Sequence, residues 1–242
     1  EEDDALDVRA DDDDTMPFED EDEFDENAPL YEALGYKCYY FGETGDAPTD
    51  GSMRTGRTTV DLGGDSFTFY FETSGGDKGA GVTGEEDDRY YQSGKLLAAG
   101  SDERYQVVER YVANPDDPED EQVYAYRVLD DVDEFFDRVR DRFGDEAVWN
   151  VPLSNYDENQ DMGDIFGISN MNQDASDLDE LYVFYDKADA EVNENVALDT
   201  DDFFLVNTSG RVVDGRGRSR DGNDYYFVTD SQGRITAVYL ED

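Results

Sequence analysis

The chain of 242 residues contains no histidine and one cysteine, Cys38. The missing histidine excludes histidine-based zinc sites, Ser-His-Asp triads and Cys-His pairs. A single cysteine cannot form an intramolecular disulfide, and in a predicted strand it is expected to be a small core residue. Paired carboxylates support glycoside hydrolysis without histidine, but among 65 acidic residues chance pairs carry no information. We therefore expect a protein that is not an enzyme.

Long apolar runs are also missing. No run reaches 18 residues, so the sequence predicts no transmembrane segment. Because the chain begins at Glu1, we expect a mature product from which any signal peptide has been removed.

Basic residues are scarce: 19 Lys and Arg face 65 Asp and Glu, which gives a formal charge of −46. A surface this anionic repels phosphates, so neither nucleic acid nor an acidic membrane is an expected partner. The charge has two equally weighted interpretations: a surface adapted to high salt, in which four Lys accompany fifteen Arg, and a surface loaded with calcium or other cations. Simple solubility of a secreted protein is the third. On the first two interpretations, cations are needed to screen the self-repulsion.

The aromatic content of 13 % is sufficient for a packed core. Residues 1–28 form an acidic tail in this interpretation, with Phe18 and Phe24 as candidates for docking on the folded part. Beyond it, five segments share one pattern, an aromatic strand, a polar turn with glycine and a short apolar strand. They are predicted as hairpins at residues 36–60, 65–84, 89–110, 203–215 and 224–239.

Hairpins this small cannot each bury their own aromatic face, so neighbouring hairpins must stack. The sequence therefore predicts a mainly β fold of solenoid-like hairpin repeats in two blocks, 29–113 and 201–242. Residues 114–200 are predicted as an α/β insertion between the blocks. It carries one amphipathic helix at residues 131–143, where apolar residues follow helical spacing and Gly144 is a stop signal.

The strand at residues 67–71 alternates, with three phenylalanines on one face and a tyrosine on the other. Phenylalanine faces are expected to pack successive hairpins, and outward tyrosine rings are expected to be free to stack on sugars. The tyrosines predicted to bind ligand in this way are Tyr40, Tyr70, Tyr91 and Tyr226.

The stretch from Tyr39 to Phe71 contains an aromatic triplet, glycine turns, Met53-Arg-Thr-Gly and a glycine-bearing hairpin. In this it resembles the cell-wall-binding repeats of secreted Gram-positive proteins, a group that includes choline-binding and glucan-binding modules. The resemblance covers residues 35–112 and 202–240. It implies a secreted or cell-surface module that binds cell-wall polymer or another glycan. Choline-binding members use tryptophan, whereas the only tryptophan here is Trp149, outside the repeats.

The loop that begins at Asp157 places Asp157, Asn159 and Asp161 at alternating positions, as calcium loops do. It is not an EF-hand, because the glycine falls at position 163 and no glutamate closes the loop. A loose calcium site is the prediction. The basic segment 211–220 is expected to pair with the acidic tail, or to clamp an oxyanion.

A structural protein of a halophilic organism or its virus, such as a capsid or surface-layer subunit, is the alternative function. The repeats favour the glycan-binding module, whereas the charge and the excess of arginine over lysine favour the structural protein.

Overall fold

The computed structural model describes residues 18, 20–42, 51–113, 123–184, 202–215, 218–220 and 224–242. Parts of the predicted tail, first hairpin and insertion, at residues 1–17, 43–50, 114–122 and 185–200, lie outside the described residues. Within the described residues the fold is mainly β, with antiparallel sheets and three α-helices. The helices are α1 (Glu21–Ala33), α2 (Val132–Phe143) and α3 (Met162–Phe166). The strands are β1 (Gly56–Leu62), β2 (Asp65–Phe71), β3 (Gly84–Glu85), β4 (Tyr90–Gln92), β5 (Lys95–Leu96), β6 (Tyr105–Val112), β7 (Tyr124–Val128), β8 (Val148–Asn150), β9 (Leu178–Phe184), β10 (Phe203–Asn207), β11 (Arg218–Arg220), β12 (Tyr226–Thr229) and β13 (Ile235–Glu241).

These strands form three sheets. Their strand orders are β1-β2-β5-β4-β3, β10-β6-β7 and β11-β12-β13-β9-β8. The chain divides into two compact units, the first comprising residues 1–86, 91–96 and 112–126, and the second residues 87–90, 97–111 and 127–242.

The first unit is organised around the hairpin of β1 and β2, which turns at Gly63 and Gly64. Both glycines have positive φ, 63° and 98°, as a tight hairpin turn requires. The pairing joins Gly56 to Phe71, so this hairpin links segments that the sequence assigned to two different repeats. One face of it carries the buried side chains Val60, Leu62, Phe69 and Phe71.

The helix α1 corrects the prediction of an acidic tail over residues 1–28. Asp20 caps it by accepting a hydrogen bond from the Glu23 amide at 2.9 Å, and three acidic residues occupy its first turn, where the helix dipole favours them. Phe24 and Ala28 are buried in the same cluster as Phe69. The helix is therefore part of the core of the first unit, and the docking of Phe24 was anticipated correctly.

In the second unit, the predicted central helix is present as α2. The Asp131 carboxylate accepts from the Glu134 amide at 2.8 Å, and the helix ends at Gly144, whose φ is 97°. Glu134 also pairs with Arg138 at 3.3 Å, four residues later. Phe135 lies in the buried cluster formed with Phe203, Phe227 and other side chains of the sheets.

Hairpins form at two predicted places near the end of the chain. β12 pairs with β13 around a turn in which the Asp230 carboxylate accepts from the Gln232 and Arg234 amides. The segment after β10 folds back so that the Val213 amide donates to the Leu205 carbonyl at 2.8 Å.

Other strand partners differ from the predicted hairpins. β6 was assigned to the hairpin at residues 89–110, but it pairs with β10, Phe203 lying opposite Glu109. β9, from the predicted insertion, pairs with β13. Strands distant in the chain are thus neighbours in the sheets. No helix in the described ranges is long and apolar enough to cross a membrane.

Candidate ligand-binding surface

In the first unit, the extended segment after α1 exposes every second side chain. Lys37, Tyr39 and Phe41 are exposed, whereas Cys38 and Tyr40 between them are partly buried. The exposed fractions of Tyr39 and Phe41 are 43 % and 54 %, which is large for aromatic side chains. Because side chains two apart on an extended strand share a face, the two rings lie on one side of it.

Met53 extends this surface. It lies opposite Phe41 in an antiparallel bridge and is 37 % exposed. A Cβ added at Gly79 would come within 2.4 Å of the Met53 sulfur, so the methionine lies directly on the bare glycine backbone. We call the exposed side chains of Tyr39, Phe41 and Met53 the aromatic face.

Polar groups adjoin one end of the aromatic face. Lys37, two residues before Tyr39, donates a hydrogen bond to the Asp77 carboxylate. This hydrogen bond raises the pKa of Lys37 above its ordinary value, so the Lys37 ammonium stays charged throughout the neutral range. The surface thus combines apolar rings with a charged donor and a charged acceptor. Sugar recognition uses both kinds of group: the rings stack on the face of the sugar, and the polar groups form hydrogen bonds with its hydroxyls.

Two of the four predicted tyrosines do not point outwards. Tyr91 is only 3 % exposed, because it lies in a central region of its sheet, with its ring 5.8 Å from that of Tyr70. Tyr40 is partly buried and stacks on Phe71, with 6.4 Å between centroids and 15° between ring planes. Both rings pack inside the first unit.

The other two tyrosines are partly exposed. Tyr70 lies on the face opposite the buried Phe69 and Phe71, as the alternation predicts. Tyr226 is in the second unit, stacked on Tyr239 at 5.0 Å. Their rings already have aromatic partners, so they offer less free surface than Tyr39 and Phe41, which the sequence reasoning missed.

The three predicted calcium ligands have different roles in the structure. Asp157 and Asn159 are exposed, whereas Asp161 is the N-cap of α3 and accepts from the Asp164 amide at 3.0 Å. Among the described residues no cluster of three or more Asp, Glu or Cys is arranged to hold a metal ion. The calcium site therefore has no geometric support here.

Segment 211–220 does not pair with the tail in the parts that the structure describes. Arg211 lies 3.9 Å from Asp88, and Arg220 pairs with Asp224, four residues later. Arg216 and the side chain of Arg218 lie outside the described part.

A partly buried polar cluster ties α1 to the sheet of the first unit. One carboxylate oxygen of Glu32 accepts hydrogen bonds from Thr83, Gln92 and Ser93 at 2.7, 2.8 and 2.8 Å. The Gln92 side chain in turn accepts from the Tyr126 amide at 2.7 Å. Because these side chains hydrogen-bond to one another, the cluster holds α1 against the sheet. It is therefore a structural cluster and not a candidate ligand site.

Comparison with known proteins finds no matching family model, no matching characterised protein and no matching solved structure.

Proposed function

We propose that this chain is a non-enzymatic binding module, secreted or at the cell surface, which attaches to cell-wall polymer or another glycan through the aromatic face. The observation that carries the proposal is the alternating exposure of Lys37, Tyr39 and Phe41, with Met53 beside them. A sugar ring that covers these apolar side chains removes their surface from water, and this contributes favourable free energy to binding.

The net charge narrows the class of glycan. At −46, the protein repels acidic polymers over the range that salt leaves unscreened. An uncharged glycan is not repelled, and it presents the apolar faces of its sugar rings to Tyr39 and Phe41. We therefore assign neutral sugars to the aromatic face.

The proposal keeps the stacking of hairpins as solenoid-like repeats, as the sequence resemblance implies. The hairpin of β4 and β5 and that of β12 and β13 support it as units of the repeat. The second candidate function, a structural protein of a halophile or its virus, is favoured by the charge and by fifteen arginines against four lysines. If the protein has that structural function, light scattering and electron microscopy in molar salt should show that it assembles into larger particles.

The test replaces Tyr39 and Phe41 by alanine, singly, and measures binding to cell walls by sedimentation and to neutral oligosaccharides by calorimetry. A stacked ring contributes about 1 kcal/mol, so each substitution is expected to weaken binding about fivefold. Folding stability should change by less than about 0.5 kcal/mol, because both rings are exposed.

Tyr124→Ala is the matched control. Tyr124 is 42 % exposed, nearly the same as Tyr39, but it belongs to β7 in a different sheet. Its replacement should leave binding unchanged. Full binding by both the Tyr39→Ala and Phe41→Ala proteins would refute the assignment of the aromatic face.

A further inference from the structure

The strand β1 has an edge that none of the described strands covers. It is the last strand in the order β1-β2-β5-β4-β3, and its partner in that sheet is β2. Natural proteins usually protect such an edge by a very short strand, a proline or a β-bulge. β1 has seven residues, contains no proline and pairs with β2 in unbroken register. We call its uncovered side the outer edge.

The register of the hairpin determines which backbone groups lie on the outer edge. Leu62 and Asp65 flank the two-residue turn, so they form a hydrogen-bonded pair, and hydrogen-bonded and non-hydrogen-bonded pairs alternate from there. Arg57, Thr59 and Asp61 belong to the non-hydrogen-bonded pairs. Their N–H and C=O groups therefore point away from β2, towards the outer edge.

The hydrogen bonds of Tyr70 confirm this direction. Tyr70 lies opposite Arg57 in the hairpin. Its amide donates to the Gly94 carbonyl at 2.8 Å, and its carbonyl accepts from the Val82 amide at 3.1 Å. Both backbone groups of Tyr70 are thus directed to the far side of β2, which leaves those of Arg57 on the outer edge.

The residues that present their backbone groups to the outer edge also have exposed side chains, and two of them carry opposite charges. Arg57, Thr59 and Asp61 are exposed, whereas the other face of the strand lies on the core. Opposite the two charged residues on β2 lie Tyr70 and Ser66, and the Ser66 hydroxyl donates a hydrogen bond to the Asp61 carboxylate. A strand that pairs with the outer edge therefore meets a positive and a negative side chain in a fixed order.

A second copy of β1 fits this order of charges, because Arg57 and Asp61 lie two residues before and two residues after Thr59. When two antiparallel copies pair about a twofold axis at Thr59, Arg57 of each copy lies opposite Asp61 of the other. Thr59 then lies opposite its own counterpart. All of these are hydrogen-bonded pairs, because the N–H and C=O groups already point outwards. Opposed threonines and opposed charges of opposite sign both stabilise neighbouring strands.

Other antiparallel registers of the same two strands are less favourable. A twofold axis at Arg57 or at Asp61 places two like charges directly opposite each other, which is destabilising. An axis at Thr58 or Val60 keeps a backbone ladder, but it places Thr59 opposite one of the charged side chains and so opposes no charges of opposite sign. The pairing about Thr59 is the one that combines the backbone hydrogen bonds with opposed charges of opposite sign.

We propose that this chain forms a twofold-symmetric homodimer in which the outer edges of two β1 strands pair about Thr59. The β1 sheets of the two copies are then continuous across the dimer. Each copy carries a charge of −46, so association acts against long-range repulsion and requires salt. At an ionic strength of about 0.15 M the Debye length is about 8 Å, which screens distant carboxylates more than charges that lie directly opposite.

The test is sedimentation velocity of the full chain at that ionic strength over a range of protein concentrations, which gives the Kd of the dimer. Arg57→Asp places two negative side chains opposite each other at both ends of the pairing, so the Kd is expected to rise at least about tenfold. Asp61→Arg is expected to weaken the dimer in the same way, although it makes each copy less negative. The double variant, Arg57→Asp with Asp61→Arg, keeps the net charge of −46 and restores opposite charges. Its Kd is expected to return to within about threefold of the parent value.

Arg104→Asp is the matched control for net charge. Arg104 is exposed, like Arg57, but it lies in the second unit, and its replacement changes the charge of the chain by the same amount. Its Kd is expected to stay within about twofold of the parent value, because the charge is remote from β1. A parent protein that stays monomeric at every concentration would overturn the proposal. Equal Kd values for Arg57→Asp and Arg104→Asp, or a double variant no tighter than its single variants, would do the same.

Hydrogen exchange tests whether β1 is the interface of the dimer. In the monomer the amides of Arg57, Thr59 and Asp61 point to the outer edge, whereas the Val60 amide is directed to β2. The first three amides should therefore exchange more slowly as the protein concentration rises, and the Val60 amide should change much less. A dimer in which those three amides keep the exchange rates of the monomer uses another surface, and the proposal is then wrong.

Discussion

Replacing Phe24 by alanine tests whether α1 belongs to the core of the first unit. Phe24 is 2 % exposed, and its ring meets that of Phe69 edge-on at 5.4 Å between centroids. Truncating a buried phenylalanine costs about 3 to 5 kcal/mol through lost burial and the cavity it leaves. An edge-on pair adds about 0.5 to 1.5 kcal/mol beyond burial, so we expect a loss near the upper end of that range.

Other contacts of α1 limit the damage. Glu32 keeps its hydrogen bonds to Thr83, Gln92 and Ser93 in the variant, and the 5 % exposed side chain of Lys95 keeps its salt bridges to Glu21 and Asp25, at 2.5 and 2.7 Å. We therefore expect the helix to stay attached at its polar contacts while the sheet beneath it becomes less protected.

The measurement is urea unfolding at constant high salt, together with hydrogen exchange of the amides in β1 and β2. Urea is uncharged, so it leaves the screening of the carboxylates unchanged during the titration. Exchange at these strands reports the first unit, whereas fluorescence of Trp149 reports the second.

Leu30→Ala is the matched control on the same helix. Leu30 is 53 % exposed, and alanine is a better helix former than leucine, so its replacement should change stability by less than about 0.5 kcal/mol. If Phe24→Ala costs no more than Leu30→Ala, then α1 is not part of the core, and the reasoning from its burial is refuted.

Three further outcomes follow from charge and burial. Burial, and to a smaller extent the hydrogen bond to Glu180, raises the pKa of Tyr182 to about 12. The free energy of unfolding should therefore be unchanged below about pH 10 and fall as the pH rises above it, and it should fall less in Tyr182→Phe. Urea unfolding of both proteins across that pH range is the measurement. Burial raises the pKa of Cys38 to about 12, so at pH 8 its thiol should react with a chromogenic disulfide reagent at least tenfold more slowly in the folded protein than in urea, and equal rates would contradict it. The net charge of −46 should make Tm rise as the Debye length falls from about 30 Å at 0.01 M salt to about 10 Å at 0.1 M, whereas a flat Tm would show that specific pairing already neutralises the carboxylates.

Local signals were sufficient to predict α2 from the sequence. Asp131, Glu134 and Gly144 are capping and stop residues that act over one turn, so they carry the same meaning in any fold. The hairpin of β12 and β13 was likewise predictable, because its turn is closed within five residues by the Asp230 carboxylate.

α1 was not predictable in the same way. Sixteen acidic residues among the first 27 are typical of a solvated tail, and Pro29 lies inside the helix, where its ring normally breaks one. The helix is stabilised by contacts that lie far away in the chain, such as the salt bridge from Glu21 to Lys95. Pairing of β6 with β10 was missed for the same reason, since nothing in either strand specifies a partner about a hundred residues distant.

The outward orientation predicted for Tyr40 differs from the structure for a more specific reason. In the strand Phe67-Thr-Phe-Tyr-Phe71, a polar residue marks which positions face solvent, and the structure places Phe69 and Phe71 inside. The triplet at residues 39–41 is aromatic throughout, so its pattern contains no alternation, and a shift of one residue exchanges the two faces. Its facing is set by partners, Tyr39 opposite Ala80 and Phe41 opposite Met53, which turn Tyr40 towards Phe71. The exposed face of such a triplet therefore follows from strand register, which only the assembled sheet determines.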